Sequence, residues 1–364
     1  MKKKRHIYFF LPNFSIGGAG NSIFNICNEI KNSTYSIQII SIGKNHYKNS
    51  FKKIGIKTIE LSNQKTIISI LKIFFLIKKK SKRNEVIFVS NINYANVLSA
   101  IFLKNINNLK LILIERTPFQ ELEIFFNFKD LIKKKIIFYL AKIFYKRADY
   151  IIGNSYTVSS YVESKINQKV LTKYPIIKIS NNIKKRYNKI LNISWIGRNT
   201  KEKNLNDFIK CLDLLKNHKV IINIITNENI KKKIQNVISK NYLKQINFHK
   251  FTNNKNILNK IYKMTDIYIS TSVYEGFPNT LVEAVNNECL VISSKSFGGY
   301  REIIKNEKYG LLYSTYNYKQ LFNKIDYAIK NFNLCKSKIK IAKTNLKIKA
   351  FNNNSNYKKF FKSI

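Results

Sequence analysis

Short apolar runs rich in β-branched residues alternate along this chain with longer helical stretches, and the alternation runs through twice. The first series of runs covers residues 7–11, 36–41, 86–90, 111–115 and 150–153. The second begins afresh at 192–196 and continues at 220–226, 246–249, 267–270, 290–293 and 311–313. Near-continuous apolar runs suit strands buried on both faces, and the helical stretches between them supply the crossovers that parallel strands require. The restart predicts an α/β chain of two doubly wound domains, and 364 residues are enough for two separate cores. The expected division is an N-terminal domain at 1–175, a C-terminal domain at 176–345 and a tail at 346–364 that crosses back to the first domain or frays. Asn and Lys cluster at 174–191, where the boundary is expected.

In open α/β sheets, ligands bind beyond the carboxyl ends of the strands, so residues that follow strands carry the functional information. The segment from Tyr274 to Ala284 reads YEGFPNTLVEA and follows the run at 267–270. Pro278 suits a first helical turn and Asn279 suits a cap, so a helix is expected to start there with its amide groups and dipole facing the loop. Such a start is a phosphate site. Glu275 on the loop and Glu283 in the helix bracket it, and each can grip a pair of hydroxyls. Their presence is informative in a chain with only 20 acidic residues.

After the run at 192–196, Gly197 permits close backbone approach, Arg198 can fork onto phosphate oxygens and Lys203 adds a second cation. Gly17 and Gly18 follow the first run in GGAG, which lacks both the dinucleotide fingerprint and the P-loop ending. That turn reads equally as a ligand turn or as a tight strand-to-helix connection. Glu115 and Arg116 end the run at 111–115, where they either contact substrate or form a buried ion pair.

Taken together, these segments resemble the GT4 family of GT-B glycosyltransferases (glycosyltransferase group 1). Glu275 and Glu283 match the family's EX7E motif. Gly197, Arg198 and Lys203 are similar to its G-R-x(n)-K segment, Gly17-Gly18 to its N-terminal glycine pair, and Gly298-Gly299 with Glu302 to its GG-x-x-E segment. The stretch from Ala148 to Ser155 resembles the one that closes the first domain in the family. A departure lies at 115–118, where E-R-T-P stands in place of a histidine and is similar to variants that use hexosamine donors.

The resemblance implies the GT-B fold, with two Rossmann-like domains facing each other across a cleft, and retaining transfer without a metal or other cofactor. It gives Glu275, Arg198 and Lys203 to catalysis. It gives Glu283, Gly17, Gly18, Gly197, Gly276, Phe277, Asn279, Thr280 and Leu281 to the donor, and Glu115 and Arg116 to donor or acceptor. The implied donor is a nucleotide-sugar, UDP-sugar ahead of GDP-sugar. The implied acceptor is a glycan or lipid-linked saccharide such as a precursor of lipopolysaccharide, O-antigen or capsule.

The 66 basic residues give a formal charge of +46, which draws polyanions. No zinc finger, RNA-recognition signature or helix-turn-helix supports nucleic-acid binding, and an inactive scaffold is disfavoured by the intact Glu275, Glu283, Arg198 and Lys203. The abundance of Lys, Asn and Ile along the whole chain also reads as compositional drift of an A/T-rich genome; beyond that, the expected partner of the charge is an anionic membrane surface. Residues 67–80 and 129–147 read as basic amphipathic helices whose apolar faces pack on the first sheet and, in addition, meet lipid headgroups. The four cysteines form no close pair, and no apolar run reaches the roughly 18 residues of a membrane span, so a cytoplasmic protein peripheral to the membrane is expected.

Overall fold

The computed structural model describes residues 5–31, 35–62, 65–176, 185–187, 189–236, 238, 240–252, 254–349 and 357–364. The chain forms two compact units, Met1–Ile176 with Asn353–Ile364, and Ile177–Asn352. Residues 177–184 and 188 of the boundary expected at 174–191, and the Asn-rich stretch at 350–356, lie outside the described residues.

The first unit runs β1 (Arg5–Phe10), α1 (Gly18–Ile30), β2 (Ser36–Ser41), α2 (Lys48–Lys53), β3 (Lys57–Glu60), α3 (Thr66–Ser81) and β4 (Glu85–Asn91). It continues with α4 (Asn93–Phe102), β5 (Leu109–Glu115), α5 (Phe128–Phe144), β6 (Tyr150–Gly153), α6 (Tyr156–Ile166) and β7 (Leu171–Thr172). All of its strands pair in parallel, in the order β3-β2-β1-β4-β5-β6-β7. The two-residue period of a strand explains the packing: Ile7 and Phe9 join a core with α1, and Tyr8 and Phe10 join the core on the opposite face with α3, α4, α5 and α6.

The second unit runs β8 (Leu191–Ile196), α7 (Leu205–Leu214), β9 (Val220–Thr226), α8 (Lys231–Gln235), α9 (Lys240–Leu243), β10 (Ile246–Lys250), α10 (Lys255–Met264) and β11 (Ile267–Ser270). Then come β12 (Tyr274–Glu275), α11 (Asn279–Asn286), β13 (Leu290–Ser294), β14 (Phe297–Gly298), α12 (Tyr300–Ile304), β15 (Leu311–Tyr313), α13 (Tyr318–Lys330) and α14 (Phe332–Lys349). Its main sheet is parallel in the order β10-β9-β8-β11-β13-β15, and β12 pairs with β14 in a separate two-stranded sheet. Strand order reverses between β8 and β11, which makes their carboxyl ends the switch point where ligands bind in such sheets.

The last helix, α15 (Tyr357–Ser363), belongs to the first unit. Tyr357, Phe360 and Phe361 are buried in the core of β1 and α1, and Tyr35 donates its hydroxyl to the Phe361 carbonyl at 2.7 Å. Each such ring stabilises the docking by about 1.5–3 kcal/mol of apolar burial. All four cysteines are free and buried. Among the described residues, no helix is long and apolar enough to cross a membrane.

Local details depart from the sequence reading. β3, β7, β12 and β14 were not expected: β7, β12 and β14 are two residues each, and β3 (KTIE) alternates polar and charged residues with a single isoleucine instead of forming an apolar run. Pro278, not Asn279, stands at the N-cap of α11, without a side-chain capping bond, and Asn279 is the first helical residue. Proline's fixed φ and missing N–H make that placement inexpensive.

Candidate functional site

The loops after β8 and β11 meet at the switch point of the second unit. Trp195, near the end of β8, donates its indole N–H to Thr271 Oγ1 at 2.9 Å, and the Thr271 hydroxyl donates to the Lys203 carbonyl at 2.7 Å. The Val273 amide donates to the Glu202 carbonyl at 2.8 Å. These bonds tie the basic loop to the acidic one. The basic loop is itself turned by bonds from the Thr200 amide to the Arg198 carbonyl and from the Lys203 amide to the Thr200 carbonyl, at 2.9 and 3.0 Å. Gly197 has a packing reason to lack a side chain, since a Cβ there would meet the Trp195 ring at 2.9 Å.

At the centre, the Lys203 ammonium donates to Glu275 Oε1 in a direct ion pair. The same carboxylate oxygen accepts the Ser272 hydroxyl at 2.9 Å. Side-chain exposure is 21% for Lys203 and 16% for Glu275, so the pair is shielded yet still reachable from solvent. An ammonium has three donors, so the bond to Glu275 leaves two for other acceptors.

Arg198 is more exposed, at 41%, and pairs with Glu202, four residues further along the loop, at 3.6 Å. That is a contact of the exposed kind, contributing roughly 0–1 kcal/mol, and a better anion can replace it.

Glycines fix the position of Glu275. Gly298 adopts φ of +110°, and a Cβ on it would overlap the Glu275 carbonyl oxygen at 1.6 Å. Only a bare backbone allows β14 to pair with β12, with Tyr274 opposite Phe297 and Glu275 opposite Gly298. The Gly299 amide donates to the carbonyls of Glu275 and Gly276 at 3.3 and 3.2 Å. The sequence drew attention to this glycine pair; its observed contacts brace the Glu275 loop.

From that loop the chain passes Gly276 and Phe277, both buried, into α11. Of the amides from Asn279 to Leu281, those of Asn279 and Leu281 already donate, to the carbonyls of Phe277 and Pro278 at 2.9 and 3.1 Å. The anion site expected from free amides at this helix start is therefore narrower than the sequence suggested. Asn279 Oδ1 is buried without a hydrogen-bond partner, an acceptor that calls for a donor. Thr280 Oγ1 accepts the Tyr268 hydroxyl at 2.8 Å, and Leu281 is buried in the helix's inner face. Glu283, one turn into the helix, accepts the Tyr262 hydroxyl at 3.0 Å. Thus Glu275 and Lys203 come together directly, and α11 carries Glu283 on from the same loop. Ser272, Thr271, Trp195, Tyr262 and Tyr268 hold these groups, and nothing in their spacing announced it.

In the first unit, a Cβ on Gly17 would meet open space, and both the amide and the carbonyl of Gly17 bond to the Tyr47 hydroxyl, at 3.4 and 3.1 Å. Gly18 is exposed at the start of α1. Glu115 and Arg116 do not pair with each other. As neighbours at a strand end they point to opposite faces. Glu115 Oε1 accepts from the Tyr145 hydroxyl and, at 2.7 Å, from Asn96 Nδ2, while burial pushes its carboxyl up to about 7. Arg116 donates through Nε to Asn91 Oδ1 at 2.9 Å and through Nη1 to Ser22 Oγ at 2.7 Å, and burial lowers its pKa. Asn91 ends β4 and Ser22 lies on α1 after β1, so the guanidinium spans the point where strand order reverses in the first sheet.

Comparison with known proteins agrees with this architecture. Residues 174–345 match the family model described as glycosyl transferases group 1. An uncharacterized glycosyltransferase of Methanocaldococcus jannaschii is 32% identical over 227 residues, 57% of this chain and 53% of that protein, so the match spans about half the length of that relative. A Campylobacter jejuni enzyme, N-acetylgalactosamine-N,N'-diacetylbacillosaminyl-diphospho-undecaprenol 4-alpha-N-acetylgalactosaminyltransferase, is 26% identical over 302 residues, 78% of this chain and 79% of that protein. Among solved structures, HepE of Anabaena in complex with UDP-glucose superposes with a TM-score of 0.78 at 16% identity, covering 99% of this chain and 100% of that one.

Proposed function

We propose that this chain, whose residues 174–345 match the group 1 glycosyl transferase model and whose fold is that of HepE, is a group 1 glycosyltransferase that transfers a sugar, with retention, from a UDP-sugar to a lipid-linked saccharide. The observation that carries the reading is the Lys203–Glu275 pair at the switch point of the second sheet, at the start of α11. Glu275 takes hydroxyls of the donor sugar. Glu283 takes the ribose. Lys203, with two donors beyond its bond to Glu275, and Arg198, once it leaves Glu202, neutralise the diphosphate as negative charge develops on it. The Asn279 carboxamide oxygen accepts a further donor hydroxyl. Lys203, held in place by Glu275 before the reaction, does part of the work that a divalent metal does elsewhere, because a fixed charge needs no reorganisation at the transition state.

UDP is favoured over GDP by the likeness to a UDP-glucose complex. A hexosamine donor and a polyprenyl-diphosphate-linked acceptor are favoured by the C. jejuni relative, whose name joins the two. The acceptor is assigned to the first unit, where the Gly17–Gly18 turn and Arg116 flank the reversal of that sheet. Glu115, fully buried, is given the task of positioning Tyr145 and Asn96. Exposed apolar residues on α3 and α5, interspersed with lysines, support docking on an anionic membrane surface.

Thermal-shift measurement against UDP- and GDP-sugars, followed by turnover of Glu275→Gln, tests the reading. UDP-sugars are expected to stabilise the protein. The variant is expected to keep UDP binding and lose transfer by about 10²-fold, the effect of two charge-assisted hydrogen bonds of roughly 1.5–3 kcal/mol each becoming neutral ones. Full turnover in that variant would sink the proposed role.

A further inference from the structure

Helices α3, α4 and α5 of the first unit leave an open groove of about 530 Å³ between them. Val97, Leu98, Ile137 and Leu140 form its apolar walls, and Lys129 and Lys133 line it as well. Its volume is that of a small-ligand pocket, roughly 300–1,000 Å³. Polar groups to orient a sugar or a nucleotide are scarce on the walls.

The surroundings state what kind of molecule fits. Ile67 and Phe75 on α3 are 52% and 68% exposed, and Phe128 and Ile136 on α5 are 73% and 53% exposed. Ile67 and Ile136 both line the groove, and exposed apolar side chains at its rim mark an interaction face. Lys129, Lys133, Lys135 and Lys142 stand exposed along the same helix, and among the described residues no carboxylate pairs with them. The acid on this helix, Asp130, is held by Lys134 at 3.2 Å and accepts the Phe126 amide. Lys133 also sits over the Tyr94 ring at 5.7 Å, which leaves its ammonium at the groove. An acidic protein would satisfy the lysines and leave the carbon-lined groove empty. An anionic amphiphile satisfies both.

We propose that the groove takes one hydrocarbon chain of an anionic membrane lipid, with the lipid phosphate against Lys129 and Lys133. The inference deepens the membrane reading above and needs no donor. It turns a surface that lies on headgroups into one that draws a single lipid chain between its helices.

The test uses the full chain with vesicles of phosphatidylcholine and phosphatidylglycerol that carry phosphatidylglycerol bearing a diazirine in its acyl chain. Irradiation followed by peptide mapping is expected to place adducts on the walls, at Val97, Leu98, Ile137 and Leu140. Leu98→Trp fills the groove and is expected to cut those adducts about tenfold, with co-sedimentation of the vesicles retained. Lys129→Glu with Lys133→Glu, both at exposed positions, is expected to lower labelling in the anionic vesicles and to leave the fold intact. Adducts confined to Phe75 and Phe128, or wall labelling unchanged in both variants, would overturn the groove and leave the membrane reading standing. Absence of vesicle binding in the unaltered protein would overturn both, and the donor site, measured with nucleotide alone, would be unaffected.

Discussion

Replacing Glu115 by glutamine should change how the stability of the protein depends on pH. The carboxyl is fully buried, accepts from Tyr145 and Asn96 through Oε1, and has no partner at Oε2. Burial pushes its pKa from an ordinary 4.5 to about 7. A carboxyl whose folded-state pKa is raised contributes stability that is complete below the unfolded value and is lost as pH rises through the folded one. The window therefore opens near pH 4.5 and closes near pH 7. At about 1.4 kcal/mol per pH unit the loss across it is about 3 kcal/mol, or roughly 6–12 °C in Tm for a unit of this size. Glutamine keeps the shape and the acceptor for Tyr145 and Asn96 and cannot ionise. Whatever constant difference the amide introduces drops out when the two proteins are compared across pH. Denaturant unfolding of both proteins from pH 4.5 to pH 8 should show the variant gaining on the unaltered chain through the window and holding a constant lead above it. Two curves that stay parallel throughout would refute the buried-carboxylate argument.

Other outcomes follow from the same geometry. Gly298→Ala places a methyl on the Glu275 carbonyl, so transfer should fall by about 10²-fold or more as the Glu275 loop moves, with the second unit still folded by circular dichroism. If, as proposed, the Arg198 charge is matched to one that develops in the transition state, Arg198→Ala should lower kcat more than it raises KM; an effect on KM alone would assign it to ground-state binding. Added EDTA should leave the rate unchanged, and complete loss of activity would demand a metal.

The large outline of the molecule was legible because buried parallel strands write themselves as apolar runs. β2, β6, β9, β11 and β15 begin and end at the residues the pattern gave, and most others extend it by a residue or two. Glu275 and Lys203 were legible because acids are scarce and both follow strands. What was not legible depends on contacts made across the sequence. Nothing local shows that Gly298 must lie on the Glu275 carbonyl, that Trp195 reaches Thr271, or that Glu115 and Arg116 part to opposite faces. The capping of α11 was misread because Asn279 is a good cap in general, and here Pro278 holds the position with Asn279 turned into the helix.

Affinity for UDP compared with UMP tests the central claim most directly. If Lys203 meets the β-phosphate while Glu283 grips the ribose, the unaltered protein binds UDP more tightly than UMP. Lys203→Ala then erases most of that preference, and Glu283→Gln weakens both nucleotides by a similar factor. A preference for UDP that survives intact in Lys203→Ala would contradict the account.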